Sequence, residues 1–272
     1  MNNLTIRAIA GIFFSAIVVG AAICGAWALG ALFFFFAMVG LVEFYQMVSR
    51  DSAEKPRTPF GYILGVGLYV MVMFYAMDII EAWTFWLLSP VVILLYSMEL
   101  YHLDKRAVDH VATTVIGLIY VVVPFAMINE LAFTNGKFEW ELPIGFFIIL
   151  WLNDSGAYFT GKFLGRTKLY EKVSPNKTWE GLAGGIAFAI AAGFLWSKYS
   201  FSLDQSQWIT VAAIIAVFAN IGDLFESHLK RSYGVKDSGT IIPGHGGVLD
   251  RFDGLLFALP LVIFYLNFIQ RT

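Results

Sequence analysis

The stretch from Ser227 to Asp253, SHLKRSYGVKDSGTIIPGHGGVLDRFD, gathers Lys230, Arg231, Lys236 and Arg251 with Asp237, Asp250 and Asp253 around Gly244-His245-Gly246-Gly247. Glycine-rich backbone leading into a helix presents unpaired N–H groups and the positive end of the helix dipole, and both attract phosphate. GHGG alone is a weak sign, because membrane proteins also use glycine for tight turns; the four flanking cations strengthen it. Asp250 and Asp253 stand three apart on the opening turn of a helix and so share a face. Carboxylates beside cations in a phosphate site hold Mg²⁺, which takes one or two of them plus water and phosphate oxygens. The same two side chains could instead cap the helix and pair with Arg251 or Lys236. His245 reads equally as a proton carrier, a phosphate donor or a hydrogen-bonding support. No second His or Cys stands at zinc-ligand spacing.

Just upstream, Asn220, Asp223, Ser227 and Lys230 recur every three or four residues, which aligns them in one narrow stripe on an otherwise apolar helix. An ionisable residue in such a helix is expensive and by default functional. The spacing suggests that Asp223 and Asp250, from adjoining helices, meet on one metal ion; the plainer alternative is that Asp223 pairs with a Lys or Arg to hold two helices together. A second equipped segment runs from Asn153-Asp154-Ser155 to Ser174-Pro-Asn-Lys177-Thr-Trp-Glu-Gly181. Asp154, Ser174 and Lys177 are its candidate substrate contacts, with Ser227 and the Gly244–Gly247 loop in the first stretch. Ser174-Pro175 also reads as a helix N-cap followed by Pro at the first helical position. A solvated basic loop beside anionic headgroups is the bland account of Lys162 to Lys172.

The elements that position these residues follow from composition. Of 272 residues, 58% are hydrophobic, 17% aromatic and only 14% charged, with a mean hydropathy of +0.71. That excludes a soluble enzyme and predicts an all-α polytopic membrane protein. A hydrocarbon core of about 30 Å needs roughly 20 apolar residues per helix. The uncharged run from Ala8 to Val42 therefore makes two helices with a tight turn near Gly25. The same ruler predicts nine spans, near residues 6–24, 27–48, 60–77, 82–100, 108–129, 142–163, 182–199, 208–230 and 253–270. Cys24, the single cysteine, excludes an intrachain disulfide, and Ile23 before it fits a lipoprotein cleavage site poorly, so the first run reads as a retained span. Polar residues concentrate late, dividing the chain into a transmembrane region over 1–135 and a catalytic transmembrane region over 136–272.

Loop charge orients this arrangement. Nine spans put 15 of the 18 Lys and Arg residues on one face, leaving Lys137, Lys198 and Arg271 opposite. The N-terminus and the equipped stretches are then expected in the cytoplasm.

Over its 27 residues, Ser227-x-Leu-Lys-Arg231, Lys236-Asp-x-Gly239 and Ile242-Pro-x-His-Gly-Gly-Val-x-Asp-Arg-Phe-Asp253 resemble the signature of the phosphatidate cytidylyltransferases, also called CDP-diglyceride synthetases. The 153–155 and 174–181 segments are similar to that family too, and together the likeness covers roughly residues 150–270. The resemblance implies Mg²⁺-dependent transfer of cytidylyl from CTP to phosphatidate, giving CDP-diacylglycerol and pyrophosphate at the inner (cytoplasmic) membrane. It implies Asp223 and Asp250 as metal ligands, a second monovalent cation such as K⁺ nearby, and a homodimer. Lys230, Arg231, Lys236, Asp253 and Arg251 would complete the catalytic set. Two alternatives stand beside it: a CTP-dependent enzyme acting on another lipid phosphate, and an ion-coupled secondary transporter, which would place its charges in two matched halves. Cysteines introduced at Lys137 and Lys168 are expected to label from opposite sides of the membrane; labelling from one side would break the nine-span count.

Overall fold

The computed structural model describes residues 3–50, 55–100, 106–171, 173–239 and 246–271, with backbone only for 3–10. Gly244 and His245 therefore lie outside the described residues. Helices occupy all nine expected segments: α1 (Asn3–Cys24), α2 (Ala26–Val48), α3 (Thr58–Ala76), a 3₁₀ segment (Ala82–Leu88) running into α4 (Ser89–Glu99), and α5 (Ala107–Gly117) joined by a π-helical turn to α6 (Val123–Ala132). They continue with α7 (Glu141–Leu164), α8 (Trp179–Trp196), α9 (Gln205–Ser232) and α10 (Leu249–Ile269). Among the described residues eight of the nine segments are long and apolar enough to cross a membrane, and the described side chains of α1 form the apolar stretch Gly11–Cys24. The chain is an all-α polytopic membrane protein. Gly25 breaks α1 from α2 with φ of 115°, a conformation that only glycine adopts without strain.

Two compact units divide the chain: residues 1–130 with 232–251, and residues 131–231 with 252–272. Residues 232–251 thus belong to the first unit and residues 252–272 to the second.

In the first unit α2 is the central helix, burying Leu29, Phe33, Ala37, Leu41, Phe44 and Tyr45. Buried polar groups are matched there. The Tyr45 hydroxyl donates to the Thr114 carbonyl at 2.8 Å, and Tyr69 donates to Gly30 at 2.9 Å. Arg57 grips Glu99 with two bonds, at 2.5 and 3.0 Å, and approaches His110 Nδ1 at 3.0 Å. A nearby cavity of about 320 Å³ is lined by Tyr96, Val108, Val111 and other apolar residues. Glu99 is its one acid, already engaged by Arg57, so it offers no reaction chemistry.

In the second unit α7 and α8 pack closely because small residues line their contact. A Cβ on Gly184 would collide with Thr160, and one on Gly185 would crowd Asn153. Without a hydrophobic driving force between helices in lipid, such close approach is what dispersion contacts require. Trp208, Ile215, Phe146, Phe147 and Phe252 fill the remaining core.

One local expectation is corrected. Ser174–Thr178 is not a helix start but strand β2, paired antiparallel with β1 (Lys168–Tyr170). Helix α8 begins at Trp179, capped by Thr178, whose Oγ1 accepts the Gly181 N–H at 3.1 Å. Thr178 can reach that N–H only from extended backbone, which the hairpin supplies. Removing one partner of a buried ion pair strands the other, so Arg57→Ala is expected to cost about 3 kcal/mol. Thermal unfolding in detergent reads this, and an unchanged midpoint would show that Glu99 finds another partner.

Candidate active site

The polar residues of the second unit converge on one cavity of about 550 Å³, within the size range of small-molecule sites. Asp154, Tyr158 and Lys162 of α7, Asn176 and Lys177 of β2, and Asn220 and Asp223 of α9 line it. Each is positioned by its element. Asp154 sits on α7 next to Asn153, against which Gly185 of α8 packs. Lys177 is delivered by the hairpin immediately before the α8 cap. Glu180 ties that junction together by accepting the Arg166 N–H at 3.1 Å and the Thr167 N–H at 3.2 Å. Lys168, one of the predicted basic residues, donates to the Pro175 carbonyl at 2.5 Å and so closes the hairpin.

Lys177 Nζ lies 2.5 Å from Asp223 Oδ2, joining α9 to the hairpin across the cavity. Asp154 interacts electrostatically with both of them and accepts a bond from Asn153 Nδ2 at 3.2 Å. Asp253, in the opening turns of α10, interacts with Asp223, Glu226 and Asp154. A side chain on Gly222 would collide with the Asp253 carbonyl, so glycine at that position lets α9 and α10 approach beside these acids. Ser227 Oγ contacts Asp223 Oδ1 at 3.4 Å, a long bond. Lys230 turns to Glu226 at 3.3 Å, four residues back.

Four acids, Asp154, Asp223, Glu226 and Asp253, thus share one polar cluster with Lys177 and Lys230. Glu226 escaped the sequence reading, although it is buried and stands three residues after Asp223 and four before Lys230. The i,i+4 Glu–Lys spacing was its signal.

The other predicted residues are placed differently. Asp250 belongs to the first unit, where its Oδ2 accepts from Ser238 N–H and Gly247 N–H, both at 2.8 Å. Lys236, Arg231 and Arg251 are exposed. Ser174 pairs with Tyr170 in the hairpin and does not line the cavity. Gly246, with φ of 83°, packs its backbone against the Asp250 carboxylate.

The sequence pattern described as "Cytidylyltransferase family" matches residues 5–269. The chain belongs to that family. The phosphatidate cytidylyltransferase of Bacillus subtilis (strain 168) is 38% identical over 178 residues, covering 64% of this chain and 65% of the relative. Those of Staphylococcus aureus (strain COL) and Staphylococcus epidermidis (strain ATCC 12228) are 48% and 47% identical over 118 residues, 43% of this chain and 45% of each relative. The aligned part of this chain therefore spans about half to two thirds of these relatives' length.

For a cytidylyltransferase the cluster is chemically apt. Among the described residues no three His, Cys, Asp or Glu side chains form a metal-holding group. Mg²⁺ needs only one or two protein carboxylates, and hard oxygen donors are what this family member provides. Asp223 Oδ2 already holds a cationic ammonium, so it is an oxygen suited to a cation. Lys177→Ala and Asp223→Asn should each destabilise the detergent-solubilised protein, while the double variant loses less than the sum, by about 0.5–3 kcal/mol. Strict additivity in thermal unfolding would dissolve the pair.

Proposed function

We propose that the chain is a phosphatidate cytidylyltransferase, converting CTP and phosphatidate to CDP-diacylglycerol and pyrophosphate. The Lys177–Asp223 pair in a cavity among helices apolar enough to cross a membrane carries this reading, because it sets a phosphate-binding cation beside a metal-suited carboxylate within a largely apolar lining. Family membership and the names of the relatives support it.

The reaction is a substitution at phosphorus. A phosphatidate oxygen forms a bond to the α-phosphorus of CTP as the α–β phosphoanhydride bond breaks, and the electron pair leaves with pyrophosphate. The nucleophile is already anionic near neutral pH, so no protein nucleophile or general base is assigned. The difficulty is repulsion between two polyanions, and this chain's contribution is to position and screen them. Lys177 and Lys162, both on the cavity wall, would hold a substrate phosphate. Lys177 would exchange its bond to Asp223 for one to phosphate, freeing that carboxylate. Lys230 and Arg231, on the last turn of α9, together with exposed Lys236 and Arg251, are assigned to the triphosphate and pyrophosphate. Asp154 and Asp253 would add oxygen donors beside Asp223.

Mg²⁺, when bound, would neutralise phosphate charge and orient the leaving group. Asp223 would hold it, and the assignment of Asp250 to the same ion rests on the family resemblance alone, as does a second, monovalent cation. The N–H of Gly247 is donated to Asp250, and those of Val248 and Leu249 to another carboxylate. The phosphate role proposed for the glycine loop therefore does not extend to the Gly247 N–H. Homodimerisation, an inner-membrane location and a site facing the cytoplasm belong to the same proposal.

Purified protein in detergent is expected to convert labelled CTP to a CDP-lipid when given phosphatidate and Mg²⁺. Asp223→Asn and Asp250→Asn should each lower turnover by about 10²-fold or more. Reaction with other lipid phosphates but not phosphatidate would replace the substrate, and near-normal turnover of either variant would remove that residue from the metal.

A further inference from the structure

Helix α2 carries an acid that the reaction above does not use. Glu43 is 2% exposed, on a span that is otherwise uncharged. Its Oε1 accepts the Val248 N–H at 3.0 Å and its Oε2 accepts the Leu249 N–H at 3.1 Å. Both donors belong to the start of α10, where N–H groups lack helical partners and the dipole favours negative charge. The Ser238 hydroxyl lies 3.3 Å from Glu43 Oε2 and 2.9 Å from Asp250 Oδ2. The hydroxyl thus stands between the two acids, with one proton that it can give to either of them.

The surrounding chain is shaped to this carboxylate. A Cβ at Gly239 would collide with Glu43, and one at Gly247 with both Glu43 and Ser238 Oγ. Two glycines of the equipped stretch are thus required for their backbone to close around Glu43. An N-cap side chain accepts the N–H of the second or third helical residue, so the Val248 and Leu249 N–H groups need an acceptor from elsewhere. Burying a carboxylate from a helix some 205 residues away costs desolvation. What the distant acid adds is a link from α2 through Ser238 to Asp250.

We propose that Glu43 is a positioning residue for cytidylyl transfer, clamping the N-terminus of α10 and, through Ser238, setting the Asp250 carboxylate. This rests on the proposed reaction and on Asp250 as a metal ligand. Glutamine has the right volume but presents an NH₂ to a backbone N–H, so one clamp bond is lost and two donors face each other. Ser238→Ala leaves the clamp and removes only the link.

The test uses the purified full chain and two readouts. Hydrogen exchange, measured without metal or substrate, is expected to accelerate about tenfold at Val248 and Leu249 in Glu43→Gln, the scale of one lost hydrogen bond, with α7 and α8 unchanged. In CTP turnover, the Mg²⁺ concentration for half-maximal rate is expected to rise several-fold in both Glu43→Gln and Ser238→Ala, with KM for phosphatidate unmoved. Unchanged exchange in Glu43→Gln would overturn the clamp. An unmoved Mg²⁺ midpoint would overturn the link to Asp250, and Ser238→Ala decides this even if Glu43→Gln fails to fold. Wild-type protein without CTP turnover would refute the reaction instead, while the exchange arm still reads the clamp.

Discussion

A carboxylate in a membrane-spanning helix is tolerated only where a cation, a donor or water faces it. Four acids of the described spans meet that condition inside the protein. Asp223 faces Lys177, Glu226 faces Lys230, Glu99 faces Arg57, and Glu43 faces the N–H groups of a helix start. The partners explain where the helices must stand. The pairing of Asp223 with Lys177 requires the β1–β2 hairpin to reach α9, and the hairpin can do so only because α8 begins directly after it.

Small residues make these pairings reachable. Lipid tails are as apolar as leucine, so spans gain little by burying apolar faces and depend on close backbone approach. Gly184 and Gly185 let α8 lie against α7 beside Asp154, and Gly222 lets α9 lie against the first turns of α10 beside Asp253. Glycines near Asp250 work at shorter range. Gly239, Gly246 and Gly247 admit carboxylates to the backbone, which differs from a loop whose every N–H awaits phosphate. The two uses have the same sequence appearance, because absence of a side chain permits either approach.

The sequence already determined the architecture: apolar run lengths set the nine helical segments, and Gly25 marked the break between the first two, since both are local consequences of hydrophobic length and backbone freedom. The stripe Asn220–Asp223–Ser227 also emerged as a shared face, because 3.6-residue periodicity survives folding, although Lys230 turned aside to Glu226. The family resemblance named the reaction class. Tertiary structure alone decided which charges meet. Lys177 reaches Asp223 across 46 positions of sequence, and Ser174 proved to be hairpin because strand pairing with Tyr170 outweighed the local Ser-Pro signal. Glu43 stood one residue beyond an uncharged run with no partner near it in sequence, so its tie to Ser238, Val248 and Leu249 was invisible until the chain folded. Periodicity and composition describe one helix at a time, whereas a buried charge is defined by what another helix brings to it.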